Sequence, residues 1–417
     1  MHGKFFGAGR VADPTVRRLE NGVLIRGGLS PAIIWYHPYC SRMQTPRTED
    51  GSAEFKQNPS LNGATAKLAP EYFRWRGPEH GPRVELPPGP ERDETMNAEW
   101  RYPLAVLAEA EKGLEGERLR FYLTKNPNEL PEYGNHIVAV LWQEERCKIP
   151  RYARHVRGVI RCLRERPFLG FHPRLGINKY EAVLCFQYVR DQVTHWRSRY
   201  HVSSPPADWP ARIHNAPSVL TIPLGYHSQE ELPQIPMAER NLDAFFTGEL
   251  RTQTRWRDYR HWTSDSKTQS RLQLWAAMLE LKKSSEWRIE MADISGGNDG
   301  PKTPLFNSYS QRMMNTRICL APRGTVDETC RMYEGLRAGC LVITNMLPDE
   351  PFLKDAPVIQ VDHWKVLPAL MKRYARDLDA LEHYRQAGLA FWGNRLSEPV
   401  IGAQVAKFLN AADRARG

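Results

Sequence analysis

The sequence predicts an α/β protein made of two Rossmann-like domains, each a parallel sheet with crossover helices, behind a loop-rich N-terminal region. Three observations predict it. Short apolar runs of strand length alternate with amphipathic runs of helix length from about residue 100 onward, the pattern of βαβ units. The alternation falls into two series, separated by the Pro-containing, acidic segment SQEELPQIPMAERN at 228–241. Finally, 417 residues exceed one ordinary core, at roughly 100–200 residues per domain.

Taken in order, residues 1–100 are rich in Gly, Pro and charge, with PPGPERDE at 87–94 and short apolar pieces such as Ala32-Ile33-Ile34-Trp35-Tyr36. They read as a loop-rich region packing on the first domain. That domain spans 101–235. Its expected strands are LRFYL (119–123), HIVAVLW (136–142), AVLCFQ (182–187) and VLTIPL (219–224), with helical patterns at 150–165 and 188–199. The second domain spans 242–395. Its strands are DAFFTG (243–248), WRIEM (287–291), RICLAP (317–322), CLVIT (340–344) and PVIQV (357–361), with helices over 268–282, 304–315, 326–338 and 363–386. The stretch 396–417 carries Ile401, Val405, Phe408, Leu409 and Ala412 on one face of a last helix. Two such halves face a cleft, and ligands bind at the C-terminal ends of the strands.

Apolar residues make up 41% and charged residues 25%, which excludes wholesale disorder. No apolar run reaches the roughly 18–20 residues of a membrane helix, and the N-terminal residues carry no secretory pattern. Seven cysteines, with no C-x-x-C pair, argue against a disulfide framework or a zinc site and for a reducing cytoplasm. The net charge of +10 is concentrated at 146–200, which holds 13 Lys+Arg against 3 Asp+Glu. Arg151, Arg154, Arg157, Arg161 and Arg164 are spaced as one basic helical face. Such a face suits an anionic partner (nucleic acid, acidic glycan or lipid phosphate) or is simply solvated.

The most informative segment is CLAPRGTVDETCRMYEGLRAGCLVIT at 319–344, which reads as one βαβ unit. Ile318 to Ala321 form a buried strand, Pro322-Arg323-Gly324 turns, and Thr325-x-x-Glu328 has the form of a capping box opening a helix. Gly339 ends that helix as a left-handed residue, and the next strand begins at Cys340. A strand, a glycine turn and a helix N-terminus make an anion site, drawing on Gly324 and Thr325, to which Arg323 adds a forked donor. Arg331 and Glu334 share a helical face. If that face lines the cleft, they reach phosphate and ribose; otherwise they form a surface ion pair.

The string C-L-x-P-R-G followed by Thr329-x-Arg331-x-x-Glu334-x-Leu336-x-Ala338-Gly339-Cys340 resembles the C-terminal signature of exostosin-type glycosyltransferases, with Val342 where that signature often carries Pro. The resemblance is close over this unit, looser over 243–400, and hardly reaches 1–135. It implies a GT-B fold, with the acceptor on the first domain, a nucleotide-sugar on the second, and a C-terminal helix crossing back. It also implies inverting transfer without a metal or other cofactor, by default from a UDP-sugar. Arg323 and Arg331 then bind the donor diphosphate and Glu334 the ribose.

Other residues at strand ends compete for roles. Gly248-Glu249-Leu250-Arg251 follows an apolar strand, making Arg251 a further phosphate ligand or part of an ordinary turn. Glu144 and Glu145, after HIVAVLW, and His227, after VLTIPLG, are the candidates for the base that takes the acceptor proton. Three motifs are discounted. Gly7-x-Gly9-x-x-Ala12 runs into Pro14; GGNDGPKT (296–303) lacks the phosphate-loop spacing; Asp377-Leu378-Asp379 sits in a charged helical stretch, not after a strand. The expected activity is therefore transfer of a sugar to a hydroxyl of a glycan, a lipid-linked phosphate or another anionic acceptor, in the cytoplasm or peripheral to a membrane. The alternatives are transfer to modified DNA, or a non-catalytic binder of nucleic acid or acidic glycan.

Overall fold

The computed structural model describes residues 16–18, 24–27, 69–87, 96–143 (not 117), 149–163, 189, 212–227 (not 217), 232–250, 266–293 and 308–414 (not 325, 326 and 349). Within them lie two mostly parallel sheets.

The first sheet holds β3 (Glu71–Trp75), β4 (Val84–Glu85), β5 (Arg120–Thr124), β6 (Gly134–Leu141), β7 (Val156–Arg161) and β8 (Val219–Thr221), in the order β4-β3-β5-β6-β7-β8. All but the edge strand β4 run parallel. β6 reads Ile-Val-Ala-Val-Leu without a break because both of its faces are covered, as parallel sheets require. Each such side chain contributes about 1.5–3 kcal/mol when fully buried. Helix α1 (Arg101–Glu111) lies on one face.

The second sheet adds β9 (Leu242–Gly248), β10 (Ile289–Asp293), β11 (Thr316–Ala321), β12 (Leu341–Asn345) and β13 (Val358–Val361), parallel in the order β10-β9-β11-β12-β13. A hairpin, β1 (Val16–Arg18) and β2 (Leu24–Gly27), extends it antiparallel to β13. The helices here are α2 (Ser266–Lys282), α3 (Tyr309–Met314), α4 (Cys330–Arg337), α5 (Leu367–Tyr374) and α6 (Leu378–Phe391). Helix α7 (Glu398–Arg414) leaves this sheet and packs on α1. Gly402 and Gly113 permit that approach: a Cβ on Gly402 would lie 2.5 Å from Glu109 Cβ, and one on Gly113 3.2 Å from Ala406 Cβ. Asn410 pins the crossing, its Oδ1 accepting from Glu115 N at 3.1 Å and its Nδ2 donating to Gly113 O at 2.9 Å.

Several sequence expectations are corrected. The basic stretch at 150–165 is not a helix. A short 3-10 turn over Arg151–Arg154 leads into β7, so Arg157 and Arg161 are strand residues buried in the interior, and Arg157 Nε donates to Leu409 O at 2.9 Å. The periodicity of the arginines mimicked a helix, but Val156, Val159 and Ile160 fit a pleated, covered strand better. Within the region read as loop-rich, EYFRW forms β3 inside the first sheet, with Tyr72 and Phe73 stacked on Phe121 and Tyr122 at 5.0 and 5.2 Å. The 228–241 segment is packed at its end: Arg240 is buried and donates to Ile235 O, Thr316 O and Ala338 O at 3.0, 2.7 and 2.7 Å. Asp377, one of the discounted D-x-D pair, is the N-cap of α6 and accepts from Ala380 N at 3.0 Å. The expected strand at 182–187 and the motifs at 7–12 and 296–303 lie outside the described residues. No described helix is long and apolar enough to cross a membrane.

Candidate functional site

In the second sheet β9 is flanked by β10 on one side and β11 on the other. The chain leaves β9 in one direction and returns on the opposite side, so the loops after β9 and β11 diverge. This is the switch point at which doubly wound sheets open a crevice for a ligand. Arg323 follows β11, and Arg331 from α4 reaches the end of β9.

Helix α4 is seated on the sheet by Gly335, where a Cβ would lie 2.8 Å from Cys319 Sγ and 2.9 Å from Val342 Cγ2. It ends as expected: Gly339 has φ +66°, and Cys340 N donates back to Gly335 O at 2.8 Å. Its start is different. Helical residues begin at Cys330, and the N-cap Thr329 makes no side-chain cap bond. Glu328, the far member of the expected capping box, turns inward and accepts from the Tyr333 hydroxyl. Burial pushes the Glu328 carboxyl up to about 7. Thr325 lies outside the described residues.

The Arg331 guanidinium lies 4.8 Å from the Phe246 ring centroid, and its Nη2 donates to Thr247 O. Its Nε and Nη1 are buried with no hydrogen-bond partner among the described residues. Arg323 is also buried. Its Nη2 pairs with Asp327, and its Nε is buried without a hydrogen-bond partner among the described residues. The backbone N–H of Arg323 donates at 3.0 Å to Asn345 Oδ1, which accepts from Ser270 Oγ at 2.6 Å; that hydroxyl accepts from Trp364 Nε1 at 2.9 Å. This buried chain fixes the turn. A buried polar group left unmatched costs about 1–3 kcal/mol, and more when charged. The two arginines therefore hold three donors ready for an anion.

Glu334 is buried, not a surface residue. Its Oε2 accepts from the Tyr309 hydroxyl at 2.6 Å and its Oε1 from His227 N at 3.3 Å. That second contact joins the two halves of the molecule, since His227 follows β8 of the first sheet. Gly225, at φ +65°, makes the turn that delivers it: a Cβ there would overlap the Tyr102 ring. Tyr226 is clamped by Tyr102 and Trp392 at 5.5 and 6.0 Å, and its hydroxyl donates to Glu398 Oε1 at 2.6 Å. His227 Nε2 lies 2.9 Å from both Cys330 Sγ and Gln143 Nε2. Burial lowers the His227 pKa, against the opposing pull of Glu334 and Glu99, so the imidazole is neutral at pH 7.

Gln143 and Leu163 end β6 and β7 with φ of +54° and +66°, and Gln143 N donates to Cys162 Sγ at 3.1 Å. Strained strand ends of this kind gather at working sites. Sequence reasoning missed Gln143, and also Glu99, which pairs with Lys125 Nζ at 2.7 Å. Glu99 sits on a 3-10 turn over Ala98–Trp100, and the tryptophan after it was the available signal of an ordered turn. Of the residues singled out in the sequence, Arg323, Gly324, Arg331, Glu334 and His227 are described, and contacts link Arg331 to the end of β9 and Glu334 to His227. Glu144, Glu145 and Arg251 lie outside the described residues.

No family model matches the chain, and no curated protein matches it. Solved structures that it resembles include TarM, at 10% identity and a TM-score of 0.39, over 74% of this chain and 58% of that one. Another is an alpha-glucosyltransferase in complex with UDP-glucose and DNA containing an abasic site, at 9% identity and a TM-score of 0.33, over 75% and 84%. A third is a glycosyltransferase from Rickettsia africae ESF-5, at 10% identity and a TM-score of 0.32, over 75% and 94%. The chain thus spans a little over half the length of TarM.

Proposed function

We propose that the protein is a GT-B glycosyltransferase of exostosin type that moves a sugar from a nucleotide-sugar, by default a UDP-sugar, to a hydroxyl of an anionic acceptor. The single observation that carries this reading is the set of unmatched, buried donors on Arg331 and Arg323 at the switch point of the second sheet. A diphosphate presents the charge and the acceptor oxygens that they lack. Gly324, Thr325 and Arg251 complete that diphosphate seat in this reading, and Glu334 takes a ribose hydroxyl.

In the reaction the acceptor oxygen attacks the anomeric carbon as the bond from that carbon to the diphosphate breaks. The acceptor proton passes to a base, and the leaving diphosphate keeps the electron pair, its new charge balanced by the two guanidinium groups. Direct displacement inverts the anomeric centre, and the arginines fill the part that a divalent cation plays elsewhere. His227, neutral and half-buried, is the described candidate for the base; Glu144 and Glu145 remain the competing carboxylates.

Calorimetry of the full chain against UDP and UDP-sugars tests the donor assignment. Binding that falls at least tenfold in Arg331→Gln is expected. Nucleotide binding unchanged by that substitution would remove the diphosphate seat and leave the non-catalytic reading.

A further inference from the structure

A second cavity, of about 270 Å³, opens at the C-terminal ends of β3 and β5, where Trp75 and Thr124 are register partners. Its wall is basic: Arg74, Arg76, His80 and Lys125, against a single carboxylate, Glu99. That carboxylate is engaged by Lys125, and His80 lies 3.5 Å from Glu79. Arg74 and Arg76 have no hydrogen-bond or ion-pair partner among the described residues. The rest of the lining is largely apolar and aromatic, with Trp75, Met96, Trp100 and Leu123.

We infer that this cavity seats a phosphate monoester carried on a sugar-sized ring, and that this is the charged end of the acceptor. Three features point there. Two unmatched forked cations suit the roughly −2 charge of a monoester better than the single charge of a carboxylate or a diester. Ligand pockets commonly enclose about 300–1,000 Å³, so this volume admits one ring and its phosphate rather than a polymer. The tryptophan edges offer the apolar surface on which a ring packs.

Two residues of the cavity wall also act on the candidate transfer site. Glu99 and Lys125, on its wall, both act electrostatically on His227, which touches Cys330 and Glu334 of the second domain. A ring bound over Trp100 with its phosphate toward Arg74 and Arg76 would turn its hydroxyls to that side. Assigning the ligand as an acceptor rests on the glycosyltransferase reading; recognition of the phosphate does not.

The test is calorimetry on the full chain with glucose 6-phosphate, glucose, a dinucleotide phosphodiester and UDP. Glucose 6-phosphate should bind at least tenfold more tightly than glucose or the diester, and the R74Q/R76Q double variant should lose at least tenfold of that affinity. The exposed single variant R76Q covers the case in which the double variant unfolds, and should lose about threefold. Equal binding of glucose 6-phosphate and glucose, or no effect of either variant, overturns the proposal. A diester that binds more tightly than the monoester overturns the assigned class. UDP affinity that falls in step with glucose 6-phosphate makes the cavity a donor seat and overturns it too. Glucose 6-phosphate binding that depends on the arginines, with no UDP binding anywhere, sustains the cavity and sinks the glycosyltransferase reading instead.

Discussion

In the proposed reading, Arg331 and His227 carry the most chemical weight for their size. Arg331→Ala removes the donors that no protein atom satisfies, and a loss of about 10²–10³-fold in turnover is expected, measured by sugar release, with a circular-dichroism melt like that of the wild type. His227 leads to a pH prediction. Its folded pKa lies below the free value of 6.5, so below that pH the unfolded chain binds more protons than the folded one. Its contribution is full above 6.5 and is lost as pH falls through the lowered value. Stability should therefore drop on acidification, and a rate that needs the neutral imidazole should drop with it. His227→Gln should flatten the acid limb of both curves, and an unchanged limb would assign the base to Glu144 or Glu145. Glu328 has the opposite sign. Its carboxyl is raised to about 7 from 4.5, so it favours the folded state at low pH and opposes it as pH rises from 4.5 through 7. Glu328→Gln should raise the melting temperature at pH 8, by up to about 3 kcal/mol of stability, while leaving the value at pH 4.5 nearly unchanged.

At the scale of elements, α4 is held to the sheet at Gly335 with no room for a methyl group. Gly335→Ala should cost about 1–3 kcal/mol and lift Arg331 and Glu334 from their positions, so that the donor KM rises more than kcat falls. Most of the second domain was legible in the sequence. Five expected strands appear as β9 to β13, because each is an apolar run of strand length closed by a turn. What escaped shows where local signals fail. The arginines at 151, 154, 157 and 161 keep helical spacing, yet a strand won because Val156, Val159 and Ile160 needed cover on both faces. The helix starts at Cys330, not at the expected Thr325 turn, and Glu328 goes to a tertiary pairing with Tyr333. The strand EYFRW was hidden among Gly and Pro, although three aromatic residues in five were the available signal. For the site, spacing put Arg331 and Glu334 on one face, but their burial and the unmatched donors depend on β9 and on the loop after β8, both far away in sequence.

Across the whole molecule, the two sheets share a core through Tyr102, Tyr226, Trp392, Phe245 and Tyr333. Contacts from His227 to Cys330 and Glu334 add a polar seam beside it. Gly402→Val, on the α7 face that meets α1, should wedge the two helices apart. We expect it to lower the melting temperature by several degrees and to weaken nucleotide binding, though it lies far from the arginines. Thermal denaturation read by tryptophan fluorescence and by nucleotide binding should then show the two properties falling together.

The helix from Glu398 to Arg414 closes on Arg101–Glu111, a partner about 300 residues earlier in the chain. During synthesis the opening half emerges from the ribosome long before the segment that seals it. Until then Ala110, Gly113 and Arg157 face an uncovered groove. The nascent protein thus waits as a half-finished lobe, exposed to chaperones and proteases, and becomes a closed unit only when this helix arrives.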